Sequence, residues 1–316
     1  MRVLVTGGAG FIGANLCRRL VDEPGMTEVR VLDDLSTGRV ENLIGIPVHL
    51  TVGTILDPDT VRVAAKRVDA IVHLAAVPSV PRSIAEPLRS HQVNTSGTLN
   101  VLEAARANGN AHVVLASSSS IYGGNPAMPK SEELQPRPLS PYAVSKLAAE
   151  QYAMSYAACY DLPVLPFRFF NVFGPLQAAG HAYAAVVPAW LHAALNQEPL
   201  RIAGDGHQSR DFTSVRTVTE VITAAVLERV SHSPVNLAFG TRTSLLDLAE
   251  RIEDVVGHPL QRAHVEPRVG DVAHSQASSE LVRTLFPDVR PAELTDELRR
   301  TWDWMRSNAT TPAGAR

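Results

Sequence analysis

The feature that most constrains this chain is a rhythm filling its first half. Short runs that are apolar almost throughout alternate with longer segments of helical spacing. The runs 2–5, 29–32, 48–52, 70–74, 112–116 and 164–169 read as strands, and 12–21, 58–66, 88–107 and 141–160 read as helices. A strand with one solvated face alternates apolar and polar residues, and these do not. They must be buried on both faces, which requires helices on each side of a parallel sheet. The pattern therefore predicts an α/β, doubly wound parallel sheet, with ligands beyond the carboxyl ends of its strands. After residue 171 Gly and Pro become frequent and the strands shorten, although 217–230 and 235–239 still read as one more helix–strand pair of the sheet. The expected division is a first domain of 1–170 plus about 215–240. A second, smaller, interleaved α+β domain takes about 171–214 plus 241–308, and 309–316 forms a tail.

Composition removes several functional classes. A net charge of −3 over 316 residues gives no electrostatic reason to bind nucleic acid or an anionic membrane. No stretch approaches the roughly 18 apolar residues that a membrane span needs, and the chain enters a strand directly, without the pattern of a signal peptide. Cys17 and Cys159 are the only cysteines, and neither they nor the eleven histidines have metal-ligand spacing. The expectation is a cytoplasmic protein with no metal, no nucleic-acid partner and no membrane partner.

The stretch VLVTGGAGFIG puts Gly7, Gly10 and Gly13 between the first strand and the first helix. Glycines there serve a tight turn, close approach of backbone to a pyrophosphate, and close helix–strand packing. The helix N-terminus then offers N–H groups and positive dipole to phosphate. The second strand ends in Asp33, 20 residues after Gly13, where an acid takes the ribose hydroxyls of a dinucleotide. Asp33 and Asp34 stand together with no arginine before Arg39, and two carboxylates repel a 2′-phosphate, so NAD is favoured over NADP. In HLAA, the small Ala75 and Ala76 let backbone lie close to the cofactor.

A second motif, PYAVSK, sets Tyr142 and Lys146 four apart on one helix face. An ammonium beside a phenol favours the phenolate and makes it a general base. Lys146 is one of three lysines, with Lys66 and Lys130, in a chain that otherwise uses arginine. The run VVLASSSSIYGG, which begins as a buried strand and ends in four serines, has no packing explanation of its own, since hydroxyls add nothing to a sheet core.

Taken in order, TGGAGFIG, HLAA, SSSSIYG, PYAVSK and FRFFNVFGP resemble the extended short-chain dehydrogenase/reductase family. More narrowly, the chain is similar over nearly its full length to NAD-dependent nucleotide-sugar 4-epimerases of the UDP-galactose 4-epimerase type. The resemblance implies a Rossmann domain holding NAD and a homodimer formed through the helices 88–107 and 141–160. It implies that Ser118, Tyr142 and Lys146 are catalytic and that Ser118 bonds the reacting sugar hydroxyl. It extends the cofactor site over Phe11, Ile12, Ser36, Thr37, Gly38, Thr54, Ile55, Leu74, Ser117 and Phe169, and over Asn94, which fixes the catalytic helices. For a UDP-sugar it implies Pro78, Ser79, Arg82, Ser119, Ser120, Asn171, Ala185, Val186 and Ser275, with Arg210 and Arg268 on the diphosphate and Asp271 on the uridine ribose. Guanidinium forks suit phosphate oxygens.

The four serines also discriminate between reactions. Related 4,6-dehydratases carry an Asp-Glu pair there and UDP-glucuronate decarboxylases a Glu, whereas hydroxyls suffice for a sugar oxidised and re-reduced at one carbon. The expected activity is inversion of C4 in a UDP-hexose, plain or N-acetylated. Three departures from the family pattern stand out. Thr54 replaces an acid near the adenine, Phe169 replaces a tyrosine, and GPLQAAGH lacks the arginine of uronate 4-epimerases. SVPRSI (79–84) is similar to the UDP-N-acetylglucosamine 4-epimerases, and Ser275 falls where glucose-restricted members carry a tyrosine. A UDP-glucuronic acid 4-epimerase using Arg82 for the carboxylate and a non-catalytic NAD-binding regulator remain the competing readings.

Overall fold

The computed structural model describes residues 1–179, 184–266 and 273–309. Its first half runs β1 (Arg2–Thr6), α1 (Phe11–Val21), β2 (Glu28–Asp33), β3 (His49–Val52), α2 (Pro58–Ala64), β4 (Ala70–His73), α3 (Val80–Ala85), α4 (Pro87–His91), α5 (Gly97–Ala107), β5 (His112–Ser118), α6 (Pro141–Tyr160) and β6 (Val164–Phe169). Then follow β7 (Asn171–Phe173), α7 (Val186–Leu195), β8 (Leu200–Ala203), β9 (Ser209–Arg210), β10 (Phe212–Ser214), α8 (Val215–Leu227) and β11 (Val235–Leu237). The chain ends with β12 (Thr243–Ser244), α9 (Leu245–Val256), β13 (Arg262–Val265), α10 (Glu280–Leu285) and α11 (Leu294–Ala309). Among the described residues one seven-stranded sheet has the order β11-β6-β5-β4-β1-β2-β3, parallel at every pairing. The order reverses between β1 and β4, and a crevice at such a point is where this architecture holds ligands.

Period-two alternation sends successive strand residues to opposite layers. Val3 and Val5 of β1 pack with Leu16 and Leu20 of α1 and with Val218, Ile222 and Val226 of α8. Leu4 between them packs with Val61 of α2 and with Val101 and Leu102 of α5. Each such side chain, fully buried, contributes about 1.5–3 kcal/mol, so both layers must form together. Val282, Phe286 and Val289, around α10, join the α1 layer. A separate core gathers Phe173, Trp190, Leu191, Ile202, Phe212, Leu248, Ile252, Leu298 and Trp302.

Two elements depart from the sequence reading: β3, expected to be buried on both faces, is a largely exposed edge strand with Val52 62% exposed, and the helix before β5 is broken. The expected helix 88–107 is split into α4 and α5 by a π-helical turn over Gln92–Ser96, and the short α3 precedes it. Pro87 starts α4 afresh, because proline suits a first helical position and not an interior one. The wider turn leaves Asn94 fully buried, 1% exposed, where it can reach neighbouring segments.

Candidate active site

A cavity of ≈ 620 Å³ opens at the carboxyl ends of β1, β4 and β5. Its walls include Gly7, Gly10, Phe11, Ile12 and Gly13 from the first turn, Asp33, Asp34, Ser36 and Thr37 after β2, and Thr54 and Ile55 after β3. Leu74, Ala75, Ala76 and Pro78 line it after β4, and Ser117, Ser118, Tyr142, Lys146 and Phe169 close its far end. Two glycines are dictated by contact. A Cβ on Gly13 would stand 2.2 Å from the Gly7 carbonyl oxygen, and one on Gly7, at φ +71°, would stand 2.7 Å from the Ala75 nitrogen. The turn can therefore lie against β4 only without side chains. The first turn of α1 carries no side-chain cap, so its N–H groups are left for an anion. A floor this close to backbone, an uncapped helix start and acids at the tip of β2 fit a dinucleotide.

Asp33 is 7% exposed, and its carboxylate accepts from Ala9 N (2.9 Å) and Leu35 N (2.8 Å). It thereby ties the glycine turn to the end of β2. Burial raises its carboxyl pKa, and those two hydrogen bonds oppose the rise. Asp34 is exposed at the rim and accepts from the N–H and hydroxyl of Ser36. Gly38 packs under this loop, where a Cβ would meet Ala9 and the Asp33 carboxylate at 2.9 Å.

At the other end, β5 continues through Ser118, and Ser119–Tyr122 forms a 3₁₀ turn. Ser118 Oγ accepts from the Ser120 N–H at 3.2 Å and its hydroxyl at 2.8 Å, so the serines break the strand, with Ser117 and Ser118 on the cavity wall. Tyr142 and Lys146 come from the first turns of α6, which Ser140 caps by accepting from Ala143 N. The Tyr142 N–H donates to Ser83 Oγ at 3.0 Å, so the SVPRSI segment docks on the tyrosine's own backbone. Burial pushes the Tyr142 phenol up, and the Ser118 hydroxyl partly offsets this. The sequence predicts the opposite direction; burial outweighs the one group that favours the phenolate, the Ser118 hydroxyl. Lys146, 5% exposed, is itself pushed down to about 8 by burial, with Glu150 opposing.

A buried polar chain links the cofactor turn to α6. The Thr98 hydroxyl donates to the Asn94 carbonyl (2.7 Å), so His73 Nε2 must donate to Thr98 Oγ1 (3.0 Å). His73 Nδ1 is then the acceptor for the Thr6 hydroxyl at 2.7 Å. Asn94 accepts from Val77 N (2.8 Å) and donates to Ser145 Oγ (3.0 Å), whose hydroxyl donates to the Tyr142 carbonyl (2.8 Å). Asn94 thus holds the segment after β4 against the catalytic turn of α6 and does not itself line the cavity.

The remaining predicted residues are more dispersed. Ser79 caps α3 at φ +99°, and Arg82 is half-buried in the same segment. Ser119, Ser120, Asn171, Ala185 and Val186 are not among the cavity's lining residues. Arg210, buried in β9, donates to the carbonyls of Ser209 and Ala273, and Ser275 N donates to Ser209 O at 3.0 Å. Arg268 and Asp271 lie outside the described residues. Sequence reasoning missed Arg89, Gln92 and Gln177 on the cavity wall and the buried pair Glu150–Arg168 behind it. The pair had a signal: Glu150 is one turn beyond Lys146, and Arg168 is a charge inside an apolar strand.

Comparison with known proteins gives one family. The profile of the NAD dependent epimerase/dehydratase family matches residues 3–238. The UDP-glucose 4-epimerase of Mycolicibacterium smegmatis is 35% identical over 316 residues, covering 98% of this chain and 100% of that one. Among solved structures, the UDP-N-acetylglucosamine 4-epimerase of Methanobrevibacter ruminantium, in complex with UDP-N-acetylmuramic acid, superposes with a TM-score of 0.92. It is 36% identical and covers 97% of this chain and 98% of that chain. The UDP-glucose 4-epimerase of Thermus thermophilus, complexed with NAD, gives 0.88 at 33% identity, with 97% and 99% covered.

Proposed function

The chain belongs to the NAD-dependent epimerase/dehydratase family, and from that premise we propose that it inverts C4 of a UDP-hexose through a 4-keto intermediate. The observation that carries this reading is the meeting of Ser118, Tyr142 and Lys146 with the glycine turn and the Asp33–Asp34 tip in one cavity. Bound NAD would supply the hydride acceptor for C4 and the hydride donor to its opposite face. The glycine turn and the start of α1 hold its pyrophosphate, and Asp33 and Asp34 select against a 2′-phosphate. Ser118 orients the 4-hydroxyl, Tyr142 takes its proton, and Lys146 favours the phenolate. The keto sugar then turns about its link to the diphosphate, and Tyr142 gives the proton back. Arg210 and Arg268 hold the diphosphate, Asp271 the uridine ribose, and small hydroxyl contacts leave the sugar free to turn.

Two cysteines without a partner, Cys17 and Cys159, support a reducing cytoplasm as its place. No described helix is long and apolar enough to cross a membrane. The separate core around Trp190 and Trp302 supports a nucleotide-sugar domain of about 171–214 plus 241–308 against an NAD domain of 1–170 plus about 215–240, with the difference that Val282, Phe286 and Val289, around α10, pack on the NAD domain. Exposed apolar side chains on α4 and α6 support a homodimer. The decisive experiment incubates the purified protein with UDP-glucose, UDP-N-acetylglucosamine and UDP-glucuronate and separates the products. Conversion of a hexose or N-acetylhexosamine to its C4 epimer is expected. Conversion of the uronate alone replaces the reading with the uronic-acid one, and no conversion leaves a nucleotide-binding regulator.

A further inference from the structure

Behind the cavity lies a pair of opposite charges that the proposed chemistry does not use. Tyr142, Lys146 and Glu150 are spaced by four along α6 and share one face. Glu150 is 0% exposed, and Arg168, on the neighbouring β6, is 4% exposed. The guanidinium grips the carboxylate as a fork, Nη2 to Oε1 at 2.7 Å and Nε to Oε2 at 3.0 Å. Ser117, on the cavity wall beside Ser118, donates to Oε2 at 2.6 Å. Arg168 is itself pinned by the Tyr122 hydroxyl (2.8 Å) and the Glu132 carbonyl (3.1 Å). Lys146 Nζ, by contrast, has no hydrogen bond or ion pair among the described residues, although a carboxylate stands one helical turn away.

We propose that Arg168 and Glu150 form a positioning unit for Lys146. The arginine fork fixes the carboxylate so that its field holds the lysine's charge without drawing Nζ out of the cavity. The alternative use of such a pair, as a tie between α6 and β6, does not account for a carboxylate placed one turn from the catalytic ammonium. An unclamped Glu150 would be the nearest counter-ion for a flexible lysine and would take it away from the tyrosine. Removing the carboxylate instead leaves Lys146 and Arg168 both buried without the anion that neutralises them and makes the ammonium harder to keep. Around Lys146 stand Tyr142 and Glu150, four residues to either side on its own helix face, and the neutral His73 of β4, which feels the ammonium. Arg168 of β6 grips Glu150 from the far side of the carboxylate. Burial already pulls the lysine to about 8, with Glu150 opposing, which is the direction this arrangement requires. The proposal rests on Tyr142 and Lys146 being the acid–base pair of the reaction.

The chain has three lysines, so ¹³C-labelling at Cε gives three resonances, assigned by Lys66→Arg and Lys130→Arg. Their titration is followed in the NAD-bound protein. Glu150→Gln is expected to lower the Lys146 midpoint by about one pH unit, and Arg168→Gln to raise it by a similar amount. In parallel, Glu150→Gln loses turnover more at pH 8.5 than at pH 6.5, while Arg168→Gln loses at least about tenfold at both as Nζ turns to the freed carboxylate. Unmoved midpoints in both folded variants, or midpoints moving the same way, overturn the proposal. If Arg168→Gln does not fold, the double variant E150Q/R168Q takes its place, with a midpoint expected between those of E150Q and the parent. A double-variant midpoint equal to that of E150Q then counts against any role for the arginine. The carbon titration needs no sugar, so failure of the epimerase reading and failure of the positioning unit are read separately.

Discussion

At Tyr142 two effects oppose each other: burial raises the phenol's pKa, and the Ser118 hydroxyl beside it favours the charged form. Tyr142→Phe removes the only phenol of the α6 motif while keeping the ring, so NAD binding should persist. Turnover should fall by about 10²–10⁴-fold, the usual worth of a positioned acid–base group. Fluorescence titration with NAD and a UDP-sugar product assay separate the two effects, and activity within tenfold of the parent sinks the assignment. These residues were legible because their chemistry is spaced along one helix face. Glu150 and Arg168 left a trace, a carboxylate four after the lysine and a charge in an apolar strand, but their pairing is not legible until β6 is known to lie against α6. A second residue-scale test concerns the sugar's C2 substituent. Ser275 is hydrogen-bonded beside β9 next to Arg210, and the proposed reading is that its small side chain leaves room that a bulky ring would close. The enzyme should accept N-acetylated UDP-hexosamines as well as plain UDP-hexoses. Ser275→Tyr should lose the N-acetylated sugar, by about 1–3 kcal/mol or more of overpacking, and keep the plain one. Equal loss of both sugars, or a parent that takes only plain hexoses, removes this pocket argument.

Between elements, the inner strands were the most legible part, because burial on both faces leaves an unbroken apolar run, whereas the edge strand β3 is largely exposed. The π-helical turn at Gln92–Ser96 was not, since its cause is tertiary: Asn94 has to reach both Val77 and Ser145. The same central strands carry an acid-sensitive feature. His73 ends β4 and His112 begins β5, both buried, with pKa values pushed down by burial from 6.5 to about 3 and about 4. The Nε2–H of His112 donates to the Val230 carbonyl, so Nδ1 is the bare nitrogen, and it is buried with no partner to receive a new proton. A group with a depressed folded-state pKa takes its proton preferentially in the unfolded chain. The stability it contributes is therefore whole above about pH 6.5 and is lost as the pH falls toward the folded value. Each histidine should remove about 1.4 kcal/mol per pH unit in that window. His112→Gln can still donate to Val230 but cannot titrate. In urea unfolding at pH 6.0, 5.25 and 4.5 its stability should fall less steeply than the parent's by about that amount, and parallel slopes would falsify the account.

For the whole molecule, the sequence rhythm was sufficient for the sheet and its ligand edge but said less about the second core. There, short strands such as β9 and β12 pair over only two residues, and no periodicity can develop. The molecule's outer surface carries one more piece of pattern. Leu88 on α4 is 77% exposed, and Val144 and Tyr152 on α6 are 53% and 40% exposed, on helices that pack against each other. Exposed apolar side chains on neighbouring helices suit the proposed homodimer, in which a second copy would cover them. A two-fold axis through this face would place the same patch of a second copy upon it, the commonest way for a chain to close on itself. Because α6 also carries Tyr142 and Lys146 on its other side, covering this face would stiffen the catalytic helix. Sedimentation at micromolar concentration should accordingly give about twice the 34.0 kDa chain mass. Leu88→Asp combined with Tyr152→Asp puts two buried carboxylates on each side of the axis and should yield a 34.0 kDa monomer. That monomer should keep its NAD site, while its turnover falls as α6 loses its support. A parent that sediments as a monomer, or a double variant that remains dimeric, places the contact elsewhere and removes this face from the assembly.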